Sequence, residues 1–204
     1  MKHYRLIIFF FSLFFSMAAS AQESWDRAIK KIDYKTSAVV PPFCGGSHPE
    51  PKYQNINWTK KFGEDFVFIN HYCAAKAATP TCYQYPEKEK IACLTSMLRG
   101  TEYFFTSMHG NSPLLPFLYT EHGTILKEIG RYGDAIQFFN TAIQKNKLYI
   151  RAYSMLADTY ILSKQYDEAE QIINEGLKYK KSKALYNKLE KIKTFKNKTK
   201  EIVK

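Results

Sequence analysis

Between Tyr119 and Leu177 the chain repeats itself. The stretch "YTEHGTILKEIGRYGDAIQFFNTAI" (Tyr119–Ile143) aligns without a gap on "YSMLADTYILSKQYDEAEQIINEGL" (Tyr153–Leu177) at a shift of 34 residues. The pairs are Tyr119/Tyr153, Gly123/Ala157, Leu126/Tyr160, Tyr132/Tyr166, Asp134/Glu168, Ala135/Ala169, Phe139/Ile173 and Ala142/Gly176. Large residues at 119, 122 and 126 predict one face of a first helix, because they recur at helical spacing. Gly130 and Gly133 let the chain turn. A second helix then carries Ala135, Phe139 and Ala142 on one stripe. Small residues at 123, 135 and 142 let the two helices approach closely, and Tyr and Phe fill the gaps. With 15 Tyr and 15 Phe but only 9 Gly and 8 Pro, and no alternating Val/Ile/Thr runs, the composition points to an all-α fold.

This pattern resembles the tetratricopeptide repeat, whose W-L-G-Y…A-F-A-P signature it follows at these positions. It departs in carrying His122 at a usual leucine, and Lys147 and Lys181 where proline often closes the repeat. The resemblance covers residues 116–181 and implies a short solenoid of helical hairpins. Two such units leave apolar faces at both ends. Downstream, Leu185, Leu189 and Ile192 predict a capping helix within 182–204, fraying into a lysine-rich tail after about Phe195. Upstream, helices over Glu64–Ala78 and Pro86–Met108 predict a degenerate hairpin spanning 63–110, with the first helix stopping before Pro80. Residues 22–62 read as irregular, apart from a possible short helix in "SWDRAIKKI".

The first 21 residues read as a signal peptide. A basic start precedes the apolar run Leu6–Met17, and Ala19 and Ala21 supply the small residues read by signal peptidase. The run is shorter than the roughly 20 residues that span a bilayer. No cysteine follows the cleavage site, so no lipid anchor is expected. An exported protein beginning near Gln22, without a stable membrane span after cleavage, is the expectation. The formal charge of +11 is concentrated at one end: residues 178–204 hold 11 lysines against Glu190 and Glu201. Nothing in the remaining charge calls for nucleic acid.

Four cysteines in an exported chain favour disulfides. Spacing alone leaves the pairing open. Cys73 and Cys93 lie symmetrically about a turn near residue 83, while Cys44–Cys73 with Cys82–Cys93 is the alternative. The elements "PPFC" and "W…FGEDF…NHYC", followed by two repeats, resemble a group of exported bacterial tetratricopeptide proteins of unassigned activity. That resemblance implies Cys44–Cys73, and a bacterial periplasmic location. In "INHYCAAKAA", His71 and Cys73 sit two apart and point to different sides of a helix, so they cannot share a metal ion. No C-x-x-C occurs, and Cys44, His48 and Cys82 lack zinc-site spacing. His71 is therefore expected as a packed helix residue. Asn70 and Tyr72 are expected to anchor the N-terminal loop, with Ala74, Ala75 and Ala78 forming a packing seam. No metal or cofactor is expected.

No phosphate loop, G-x-S-x-G elbow, H-E-x-x-H or paired-carboxylate signature is present, so the chain does not read as an enzyme. The resemblance implies an interaction module that binds a protein or peptide in a groove lined by the first helices. Carried over residue by residue, the groove positions are Phe117, Thr120, Thr124 and Lys127, then Arg151, Ser154, Asp158 and Ile161. Lys127 and Arg151 are the candidates to receive a carboxylate. A role in envelope assembly follows by analogy of fold alone. Two other readings are a binder of anionic polymer or membrane surface through the basic C-terminus, and a Cys/His redox or metal protein.

Overall fold

The structure is a computed structural model and describes residues 39–45 and 51–202, with side chains as far as 196. The signal-like segment, the "SWDRAIKKI" stretch and His48 lie outside the described residues. A short 3-10 turn, Pro42–Cys44, leads the chain in. The helices that follow are α1 (Trp58–Phe62), α2 (Asn70–Cys82), α3 (Glu87–Ser107), α4 (Leu115–Glu128), α5 (Tyr132–Lys145), α6 (Ile150–Leu162), α7 (Tyr166–Tyr179) and α8 (Lys183–Ile202). They pack as successive hairpins, α2 on α3, α4 on α5 and α6 on α7, with α8 closing against α7.

The 34-residue shift carries α5 onto α7 residue for residue. The alanine positions are packing sites: Ala135, Ala142, Ala157 and Ala169 are fully buried, as are Phe139, Tyr153, Leu156 and Ile173. At Gly123 an added Cβ would come within 2.8 Å of the Phe139 ring, so only glycine admits that ring. The same spacing reaches back into α3, where Thr101, Phe105 and Met108 precede Ala135, Phe139 and Ala142 by 34 residues. The second half of α3 thus serves as the second helix of an incomplete leading repeat.

Both repeats turn alike. Arg131 N–H donates to Leu126 O and Gln165 N–H donates to Tyr160 O, each at 2.8 Å. The residue before each donor is left-handed: Gly130 at φ 81° and Lys164 at φ 60°. Gly133, expected in the turn, is already the second residue of α5, so Gly130 alone makes the reversal.

Upstream, the leading hairpin differs from expectation in three places. Glu64–Ile69 is 3-10 and the α-helix starts only at Asn70. That helix continues through Pro80 to Cys82. Pro80 lies in the last turn, where it forfeits one hydrogen bond, and the Cys82–Cys93 disulfide fixes that turn to α3. Ala74 and Ala75 are buried but Ala78 is exposed, so the seam is made by the first two. Opposite them is Gly100, where a Cβ would lie 2.6 Å from the Ala75 Cβ.

The other disulfide, Cys44–Cys73, has a Cα–Cα distance of 5.3 Å and ties the N-terminal segment to α2. Beside it Phe43 sits among the rings of Trp58, Phe62, Phe66, Tyr72 and Phe117, with centroids 5.5 to 6.4 Å away. At the far end α8 buries Leu185 and Ile192. It does not fray after Phe195 but runs to Ile202, because Lys196 reaches Asp167 at 2.6 Å and Glu170 at 2.7 Å on α7.

Candidate partner-binding groove

Three helices, α2, α4 and α6, meet at one carboxylate. Glu121 of α4 is buried, with 5 % of its side chain exposed. Its Oε2 receives Lys76 Nζ of α2 at 2.8 Å and the Tyr72 hydroxyl at 3.1 Å. Its Oε1 receives Arg151 of α6 at 2.5 Å. Burial alone would raise the Glu121 pKa, but Arg151 and then Lys76 outweigh it and hold the carboxyl below its usual range. Burial, and then the Glu121 charge, push the Tyr72 phenol well above its ordinary value. Glu121 therefore stays ionised and Tyr72 stays protonated near neutral pH. The cluster carries one net positive charge and holds no group poised to exchange a proton.

Over this cluster lies a cleft of about 220 Å³. Its apolar wall is Val39, Val40, Pro41 and Phe117, and its polar wall is Tyr72, Lys76, Glu121 and Arg151. The disulfide-held N-terminal segment thus forms one side of the site.

The expected groove residues divide. Arg151 and Phe117 line the cleft, although Phe117 also packs edge-on against Phe43 at 5.5 Å and Tyr72 at 5.4 Å. Thr124 lines a crevice between α2 and α4. Asp158 faces α8 and pairs with Lys188. Thr120 is fully buried, with its hydroxyl donating to Pro116 O at 2.8 Å, and Ser154 is buried at the equivalent place; neither is open to a partner. Ile161 packs against the core. Lys127 lies on the last turn of α4, six residues beyond Glu121, so the cation that joins Arg151 is Lys76. The open face of α4 follows 117, 121, 124 and 128 in place of 117, 120, 124 and 127. Helical neighbours at i+3 and i+4 are both compatible with one stripe, and the buried Thr120 shows which applies. Tyr72 was expected to hold the N-terminal loop by its hydroxyl; that hydroxyl goes to Glu121, and the ring alone touches Phe43. The Asn70 side chain likewise serves its own helix, accepting from His71 N–H at 2.9 Å.

Residues 128–192 match the sequence model of the tetratricopeptide repeat. The chain carries tetratricopeptide repeats. The matched stretch runs from the last residue of α4 into α8. Among solved structures the tetratricopeptide domain of Sgt2 from Aspergillus fumigatus is similar, at 17 % identity over 68 % of this chain and 82 % of that one, with a TM-score of 0.46. No curated protein matches. The tetratricopeptide architecture is that of a protein–protein interaction module.

The other readings gain little from the geometry. Within the described part of α8, Lys188, Lys193 and Lys196 are each ion-paired inside the chain, so the basic helix directs much of its charge inward. All four cysteines are in disulfides. Among the described residues no cluster of His, Cys, Asp and Glu could hold a metal ion, and no helix is long and apolar enough to cross a membrane. His71 stacks on Tyr103 with ring centroids 3.6 Å apart. His122 lies inside the first tetratricopeptide hairpin, stacked on Phe138 at 4.1 Å. With its one proton directed to Leu98 O, the Thr101 hydroxyl accepts from His122 Nδ1–H at 2.6 Å. Burial, and secondarily Arg131, push the His122 pKa down to about 4.

Proposed function

We propose that this is an exported interaction module that binds a segment of a partner protein along the face made by α2, α4 and α6, in the assembly of the bacterial envelope. The observation that carries the reading is the cleft over Glu121, where three successive first helices and the N-terminal segment converge. Export is supported by the signal-like first 21 residues and by two disulfides. Arg151 is a poor probe of the groove, because a carboxylate there would face Glu121. Leu162 is better. It is 54 % exposed at the end of α6, one turn beyond Asp158, and takes no part in the cluster. Leu162→Glu is expected to abolish recovery of the partner by crosslinking pull-down from the periplasm while leaving the melting temperature unchanged. Undiminished recovery would refute the groove.

A further inference from the structure

The charge balance of the cleft restricts what can cover it. Lys76 and Arg151 contribute two positive charges and Glu121 one negative. The negative charge lies beneath, 5 % exposed, while the cations keep 30 % and 43 % of their side chains in water. That remaining exposure is what solvates the surplus positive charge. A partner surface laid over the cleft removes this water, and an uncompensated charge taken out of water is strongly unfavourable. A neutral or basic cover is therefore rejected, and a cover that supplies one carboxylate is not. Glu121 also fixes the two cations from below, so little side-chain freedom is left for a ligand to remove. It acts as a positioning residue and touches no ligand itself.

Size and lining add two restrictions. A volume of about 220 Å³ holds one side chain with its immediate neighbours and not a folded element. The opposite wall, Val39 to Pro41 with Phe117, offers apolar contact only to aliphatic groups flanking the acid. We infer that the cleft reads a single acidic side chain flanked by aliphatic residues, projecting from a partner segment that runs across its mouth. This rests on the groove reading and specifies its partner.

The test uses the intact chain and three short peptides, followed by ¹H–¹⁵N shifts of Lys76, Arg151 and the Arg151 Nε–Hε. The first is Gly-Leu-Glu-Leu-Gly, acetylated and amidated so that its only charge is the side chain. The second replaces Glu by Gln. The third is acetyl-Gly-Leu-Leu with a free terminal carboxylate. The glutamate peptide is expected to shift these signals saturably, with binding at least about tenfold tighter than the glutamine peptide, as one charge-assisted contact implies. Added salt should weaken it, and Arg151→Gln should remove its advantage. Equal binding of the two amidated peptides, preference for the terminal carboxylate, or absence of saturable shifts would each overturn the inference. If the Leu162→Glu variant still loses the partner while the glutamate peptide shows no advantage, the groove stands and its acidic preference falls.

Discussion

Stability should fall between pH 7 and pH 5 because of one side chain, His122. An unfolded histidine titrates near pH 6.5, whereas His122 in the fold is pushed down to about 4. Between those values the unfolded chain binds a proton that the folded chain refuses, so stability rises with pH across this window and is lost as pH falls. With those two pKa values, linkage gives a loss of about 2 kcal/mol at pH 5 relative to pH 8, or a melting temperature lower by about 4–8 °C. Glu121 does not confuse the measurement. Its pKa is depressed, so its contribution persists until pH falls below the usual carboxylate range. The control comes from the repeat itself. Thirty-four residues beyond Thr101 and His122 stand Ala135 and Leu156, both fully buried. The double replacement Thr101→Ala/His122→Leu installs that apolar pair and leaves no buried polar group stranded. Urea unfolding followed by circular dichroism at several pH values, without reductant, should give a steep profile for the natural chain and a flatter one for the double variant. Parallel profiles would refute the assignment.

The charge cluster should respond asymmetrically. Glu121→Gln frees two cations that can turn to water and should cost only about 1–2 kcal/mol. The double variant Lys76→Met/Arg151→Met strands a buried carboxylate and should cost about 3–5 kcal/mol; equal losses on denaturant unfolding would contradict the described burial. Lys164→Gly should stabilise by about 0.5–1 kcal/mol, because the left-handed conformation at that turn suits glycine. A lower denaturation midpoint would show the turn to be misjudged.

The periodic half of the fold is legible in the sequence because each repeat solves the same packing problem, so Ala135 and Ala169 or Phe139 and Ile173 must recur together. The leading hairpin is less legible. Pro80 signals a helix end, and only the Cys82–Cys93 link explains why the helix outlasts it. The groove was read one position out of register on α4, since 120 and 121 each fit a helical stripe with 117 and 124. One signal was present: Glu121 aligns with Met155, placing a carboxylate where the next repeat has an apolar side chain. Lys76 could not be found this way, because α2 lies outside the period. That Val39 to Pro41 would wall the cleft depends on how the Cys44–Cys73 segment crosses α2, which no local pattern encodes.

The hairpins present nearly interchangeable faces: α3 offers Phe105 where α5 offers Phe139 and α7 offers Ile173. Such modularity invites mispairing during folding, since a hairpin could dock in its neighbour's place. The Thr101–His122 hydrogen bond labels one junction. Set against α5, His122 would meet Ala135 and bury an imidazole N–H with no acceptor. The polar pair thereby works as an address, fixing the order in which like units stack.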